Sequence, residues 1–191
     1  MNKKTIIESL LEDHGQIRHM LRLFERESAV FSKGGVPDYD LLAGALDYLR
    51  DYLDAVHHPL EDRIAEYLAR RETLSAKAFA RLHQVHQDLE ALTIQVAREF
   101  SSVRDDAVGV RERLCAFGNG MIETYRDHLA WEEARFFPLA QRSLTPADWA
   151  AILEGGDALL DLDYAKKIRD RFGTWLKGYE AEEHRAEMPV A

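Results

Sequence analysis

Histidine and glutamate stand four residues apart twice in this chain, as His57-x-x-x-Glu61 and His128-x-x-x-Glu132. Each pair follows a lone histidine, His14 or His86, at a separation of 43 or 42 residues. On an α-helix the four-residue spacing brings both side chains to one face. The whole block recurs, since His14 and His86 lie 72 residues apart. Its surroundings recur with it: Glu61-Asp62 precede Leu68 as Glu132-Glu133 precede Leu139, and His14 and His86 are followed three residues later by Ile17 and Leu89. Such a chain is constrained to pack two copies of one helical hairpin so that their histidine-bearing faces meet.

The rest of the sequence supplies the helices. Thr5-x-x-Glu8 has the form of a capping box, and Ile6, Leu10, Ile17, Leu21 and Phe24 make one apolar stripe that Gly34-Gly35 ends. Pro37-Asp38 opens a second helix running to about Glu72, with Pro59 inside it as a kink. Ser75 caps a third that reaches about Val103, and a fourth runs from about Val108 to Arg142, where Gly118 and Gly120 weaken it locally and let another backbone approach. Four helices of about 30 residues, each about 45 Å long, make an antiparallel up-down-up-down bundle. Thr145-Pro146 starts a short helix to Gly155-Gly156, and an amphipathic segment from Leu159 to about Tyr179 packs across the bundle before a charged tail. The expected fold is all-α: a four-helix bundle over 1–143 with a C-terminal helical extension over 144–191. No strand pattern is present.

A bundle that turns these groups inward gathers four imidazoles and two carboxylates around one interior point, a set suited to two metal ions. Imidazole with carboxylate accepts iron, manganese or zinc. A single HxxxE would favour ordinary surface or core histidines. The repeat reverses that preference, because buried histidine and glutamate without a partner cost several kcal/mol each.

His14, His57-His58-Pro59-Leu60-Glu61-Asp62, His86 and His128-Leu129-Ala130-Trp131-Glu132-Glu133 together resemble the H…HxxxE…H…HxxxE pattern of the hemerythrin-like (HHE cation-binding) domain, over residues 5 to 142. The resemblance implies a non-haem di-iron site with His14, His57, His86 and His128 as terminal ligands and Glu61 and Glu132 as bridges. It implies two iron ions as cofactor, with manganese or zinc as alternatives. A small ligand (dioxygen, nitric oxide or peroxide) is expected at an open iron position, in a role such as oxidative or nitrosative stress response. Turnover of peroxide or nitric oxide, and iron or oxygen sensing, are the alternatives. Oxygen-carrying members place a fifth histidine as HxxxH on the third helix, where this chain has His83-x-x-His86. The repeat arithmetic selects His86, leaving His83 as a further ligand, a support to the site, or a helix-boundary residue.

Among the remaining candidates, Tyr52 and Tyr125 lie near enough in sequence for a hydroxyl to reach the metal pocket, or else complete the core. His58 reads as a support to the site or a surface residue on a different face from His57, His19 as pointing elsewhere, and His184 as tail. Leu21, Phe24, Leu49, Leu53, Met121 and Ile122 either line the space around the ions or are plain packing. Cys115, about 20 Å from His128 at the helical rise, is not expected to be a ligand. As the single cysteine it forms no internal disulfide, which suits a reducing, cytoplasmic compartment. No signal-peptide pattern and no apolar run of about 18 residues occurs, so no membrane partner is expected. A net charge of −9 without a basic stripe argues against nucleic acid. Monomer and homodimer both remain open.

Overall fold

The computed structural model describes residues 3–71, 75–102, 108–154, 167–168 and 170–178. Among them no strand occurs. The elements are α1 (Lys3–Ser32), α2 (Tyr39–Asp51), a first π turn (Leu53–His57), α3 (His58–Arg70), α4 (Ala76–Ser102), α5 (Val108–Trp131), a second π turn (Glu132–Phe136), α6 (Phe137–Ser143) and α7 (Pro146–Glu154), followed by helical residues at 170–178. No helix among the described residues is long and apolar enough to cross a membrane.

Local chemistry accounts for most boundaries. α1 begins at Lys3, so Thr5 lies inside the helix rather than at its cap. The helix ends at Gly34, whose φ of +84° is a left-handed conformation that glycine adopts without strain. There the Gly34 N–H donates to the Phe31 carbonyl and the Gly35 N–H to that of Val30. The Asp38 carboxylate caps α2 by accepting from the Leu41 N–H at 2.9 Å, and Ser75 Oγ accepts from the Ala78 N–H at 3.2 Å. At α7, Thr145 Oγ1 accepts from the Asp148 N–H while Asp148 accepts from the Thr145 N–H at 2.7 Å, a reciprocal capping box.

The second and fourth helices that the sequence predicts are each broken by a π turn. The His57 and His58 N–H groups reach back five residues, to the carbonyls of Tyr52 and Leu53, and the Phe137 N–H reaches that of Glu132. A proline follows each turn. Pro59 and Pro138 lack an N–H and would press their rings on the carbonyls four residues back, at Ala55 and Ala134; the wider turn moves those carbonyls aside. The two breaks are not repeat-equivalent: the first ends at its histidine, His57, and the second begins at its glutamate, Glu132.

Two apolar clusters make the core. One gathers Ile6, Leu10, Ile64, Leu68, Leu82, Phe136 and Ala140, the other Ile17, Leu21, Leu42, Leu49, Leu89, Val96 and Ile122. Along each long helical segment the histidines and glutamates of the two repeats fall between residues of one cluster and residues of the other. Phe24, Leu53 and Met121 belong to the second cluster as well. Gly118 receives the Phe24 ring, because a Cβ there would meet it at 2.7 Å, whereas a Cβ on Gly120 would meet nothing within 4 Å.

Ile168, Phe172 and Leu176 complete the second cluster. Residues 159–166, 169 and 179 of the terminal segment expected over 159–179, and the tail with His184, lie outside the described residues. This segment fits only because α2 has a glycine facing it: a Cβ on Gly44 would overlap the Trp175 ring. Gly44→Ala is expected to displace Trp175 and cost roughly 1–3 kcal/mol, the usual range for overpacking. A lower thermal midpoint with a red-shifted tryptophan emission checks it.

Candidate metal centre

Each helix presents its polar block where its apolar stripe is interrupted. Around α3, successive residues advance by about 100°, which puts Glu61 about 40° from His57 and about 60° from His58, between the two. A core-facing stripe is at least that wide. All three are buried. His58 therefore shares the interior face with His57, against the expectation that it lay on another face. The signal was present in the sequence as the adjacent pair His57-His58 three and four residues before Glu61.

The inner atoms converge. Glu61 Oε1 lies 3.7 Å from His14 Nε2 and 3.4 Å from His57 Nε2, while its Oε2 lies 3.5 Å from His86 Nε2. Glu132 divides in the same way, with Oε2 3.4 Å from His14 Nε2 and Oε1 3.6 Å from His86 Nε2 and 3.0 Å from His128 Nε2. Two overlapping donor sets result, His14, His57, Glu61 and Glu132 in one, and His58, Glu61, His86 and His128 in the other, with the donor atoms of each within 4.8 Å of one another. The His58 and His86 rings stack at 4.2 Å.

None of these inner atoms is satisfied by hydrogen bonding. The Nε2 atoms of His14, His57, His86 and His128 and all four oxygens of Glu61 and Glu132 are buried without a hydrogen-bond partner. Eight orphaned polar atoms aimed at one another are a costly arrangement for an apolar interior, and cations held between them would offset that cost. The donor set fits a pair of divalent or trivalent ions of the imidazole- and carboxylate-preferring type.

Without a metal the site holds protons instead. Burial opposes the imidazolium form of His14, His57 and His86, but the carboxylates overcome it. Glu132 and Glu61 raise His14 to about 9, Glu61 and Asp13 raise His57 to about 10, and Asp62 and Glu132 raise His86 to about 9. In return both glutamates stay below the ordinary carboxylate range despite burial, Glu61 through His57 and His14, and Glu132 through His128 and His14 against the repulsion of Glu61. His58 goes the other way. Burial and the neighbouring His86 and His57 hold it well below the usual imidazole value.

A family model of the hemerythrin HHE cation-binding domain matches residues 5–140. The chain belongs to that family. No curated protein and no solved structure matches the chain at a significant level. Membership carries metal-cation binding with it, typically of iron, and the two donor sets are where this hemerythrin-domain protein can hold metal.

Several residues singled out in the sequence stand outside the inner sets. Tyr52 donates to Asp13 Oδ1 at 2.8 Å, and Asp13 Oδ2 in turn lies 3.3 Å from His57 Nδ1. Thr93 Oγ1 gives its proton to the Leu89 carbonyl, so Tyr125 is the donor in their 3.0 Å contact and its hydroxyl is turned to Thr93. Neither tyrosine hydroxyl is directed at the inner atoms. His83, 52% exposed on α4, is not at a helix boundary; its Nδ1 is 2.8 Å from Asp62, which also meets His86 Nδ1 at 2.9 Å. His14 Nδ1 lies 2.9 Å from Glu133, which accepts from Arg18 as well. His19 pairs with Arg22 on α1. Cys115 packs beside Ser28, outside both sets.

The protonated imidazoles make a pH-dependent contribution with a defined sign. Groups raised on folding stabilise fully below their unfolded value of about 6.5 and lose that contribution as pH climbs through about 9 to 10. The metal-free protein is thus expected to lose thermal stability from about pH 7 to pH 10. The iron-loaded protein, whose imidazoles have already given up their protons, is expected to gain relative to it over the same range. Melting curves of both forms across that interval check the prediction.

Proposed function

We propose that this chain is a non-haem di-iron protein that binds a small ligand, dioxygen, nitric oxide or peroxide, at an open metal position. The scaffold is an antiparallel up-down-up-down bundle over residues 1–143 with residues 144–191 as its helical extension. The order in which the helices meet the two apolar clusters supports that topology. α1 passes from the cluster of Ile6 to that of Ile17, the α2–α3 segment returns from Leu42 to Leu68, α4 goes from Leu82 to Val96, and the α5–α6 segment returns from Ile122 to Ala140.

The observation that carries the reading is the division of each carboxylate. Glu61 and Glu132 each turn one oxygen to the His14 side and the other to the His86 side, as a bridge between two ions requires. His14 and His57 are assigned to one ion, and His86 and His128 with His58 to the other. His58 supplies the fifth imidazole that HxxxH-bearing relatives take from the third helix. With two imidazoles on one side against three on the other, an ion held by His14 and His57 would be the one with room for a ligand.

Bound iron would supply redox chemistry and Lewis acidity. Everything else falls to the chain: the imidazoles bind through Nε2, the glutamates neutralise charge, and the apolar clusters on either side restrict water. Binding is favoured over turnover because turnover needs a proton donor at the pocket, and the hydroxyls of Tyr52 and Tyr125, the two that sequence placed within reach of it, are committed to Asp13 and Thr93.

Protein purified without air is expected to hold about two iron ions per chain by elemental analysis. His57→Ala, His58→Ala and His128→Ala should each lower that content sharply while His19→Ala retains it; equal retention in all four refutes the assignment. A reversible absorbance band on admitting air to the reduced protein distinguishes ligand binding from irreversible oxidation.

A further inference from the structure

Three carboxylates stand one position along the chain from an inner residue: Asp13 before His14, Asp62 after Glu61 and Glu133 after Glu132. None of the three belongs to either inner donor set. Each reaches sideways to an adjoining segment and meets an imidazole from behind. Asp13 on α1 meets Nδ1 of His57, Asp62 on α3 that of His86, and Glu133 in the second π turn that of His14.

A second regularity accompanies the first. Every one of these acids is also gripped by a residue from the segment of the imidazole it meets: Tyr52 just ahead of His57, His83 on α4 with His86, and Arg18 on α1 with His14. Asp54 approaches His58 within one segment, at 3.4 Å. The arrangement occurs three times between segments and fails once. The 72-residue repeat aligns Asp13 with position 85, and the residue there is Val85. Among the described residues nothing pairs with Nδ1 of His128. Instead His128 and Val85 both line a cleft of about 750 Å³ between α4 and α5, beside Trp131.

We propose that Asp13, Asp62 and Glu133 are positioning residues of the metal centre, and that Val85 is a gap in their ring that leaves His128 open to the cleft. This rests on the di-metal reading above. Each acid fixes the proton on Nδ1, which keeps the Nε2 lone pair aimed inward and makes the ring a stronger donor. Its negative charge favours the more highly charged state of the ions. Each also ties one segment to the next, α1 to the first π turn, α3 to α4, and the second π turn to α1.

Asp13→Asn, Asp62→Asn and Glu133→Gln preserve size and one acceptor oxygen while removing charge. The full chain and each variant, loaded with ferrous ion without air and verified as folded by circular dichroism, are compared by chelator competition and by redox titration. Each variant is expected to bind iron roughly 10–100-fold more weakly and to show a higher potential. Val85→Asp, which restores an acid at the gap, is expected to move both readings the other way. Glu25→Gln, about 16 Å along α1 from His14, is expected to move neither. Variants with wild-type affinity and potential overturn the positioning role while the di-metal reading stands. An unaltered affinity and potential in Val85→Asp overturns the gap. A wild-type chain that takes up no iron overturns the reading and the proposal together.

Discussion

Two fully buried carboxylates, Glu61 and Glu132, are the constraint around which this molecule is arranged. Isolated carboxylate charges in an apolar interior are far too costly to keep, so every neighbouring choice has to answer them. Imidazoles surround them on four sides, and the apolar stripes of the long helices part to make room. The same groups answer to two kinds of cation. Protons on His14, His57 and His86 neutralise the pair when metal is absent, and metal replaces those protons when it binds. Folding and loading are thereby coupled through one small set of side chains.

Much of this was legible in the chain itself. Six of the seven inner residues stand at repeat-equivalent positions, and the helical spacing that carries their neighbours is strong enough to place them on common faces. The caps at Asp38, Ser75 and Thr145 were equally readable, because a short polar side chain before an apolar run has few other uses. His58 escaped because it has no repeat counterpart: the position after His128 is Leu129. A helix face is a sector of at least 100° rather than a line, and His58 lies within the sector that His57 and Glu61 share.

The π turns were less accessible. Pro59 announced a distortion, but not whether the helix would bend, break or widen, since all three relieve the same clash. Pro138 stands in the corresponding place after the second turn. The roles of Tyr52 and Tyr125 were undetermined for another reason. Sequence distance locates a ring along a helix, but the partner of its hydroxyl comes from a different helix, Asp13 from α1 and Thr93 from α4.

The π turns also carry a consequence for how this chain can vary. Each contains one residue more than the α-helical turn it replaces. Deleting that surplus residue would rotate everything downstream by about 100° relative to everything upstream. Across the first turn, Leu42 and Leu49 on one side and Ile64 and Leu68 on the other could not then all remain inward. Surface loops in general tolerate gain or loss of a residue, whereas these two helical sites are fixed in length by the phase of the stripes they join.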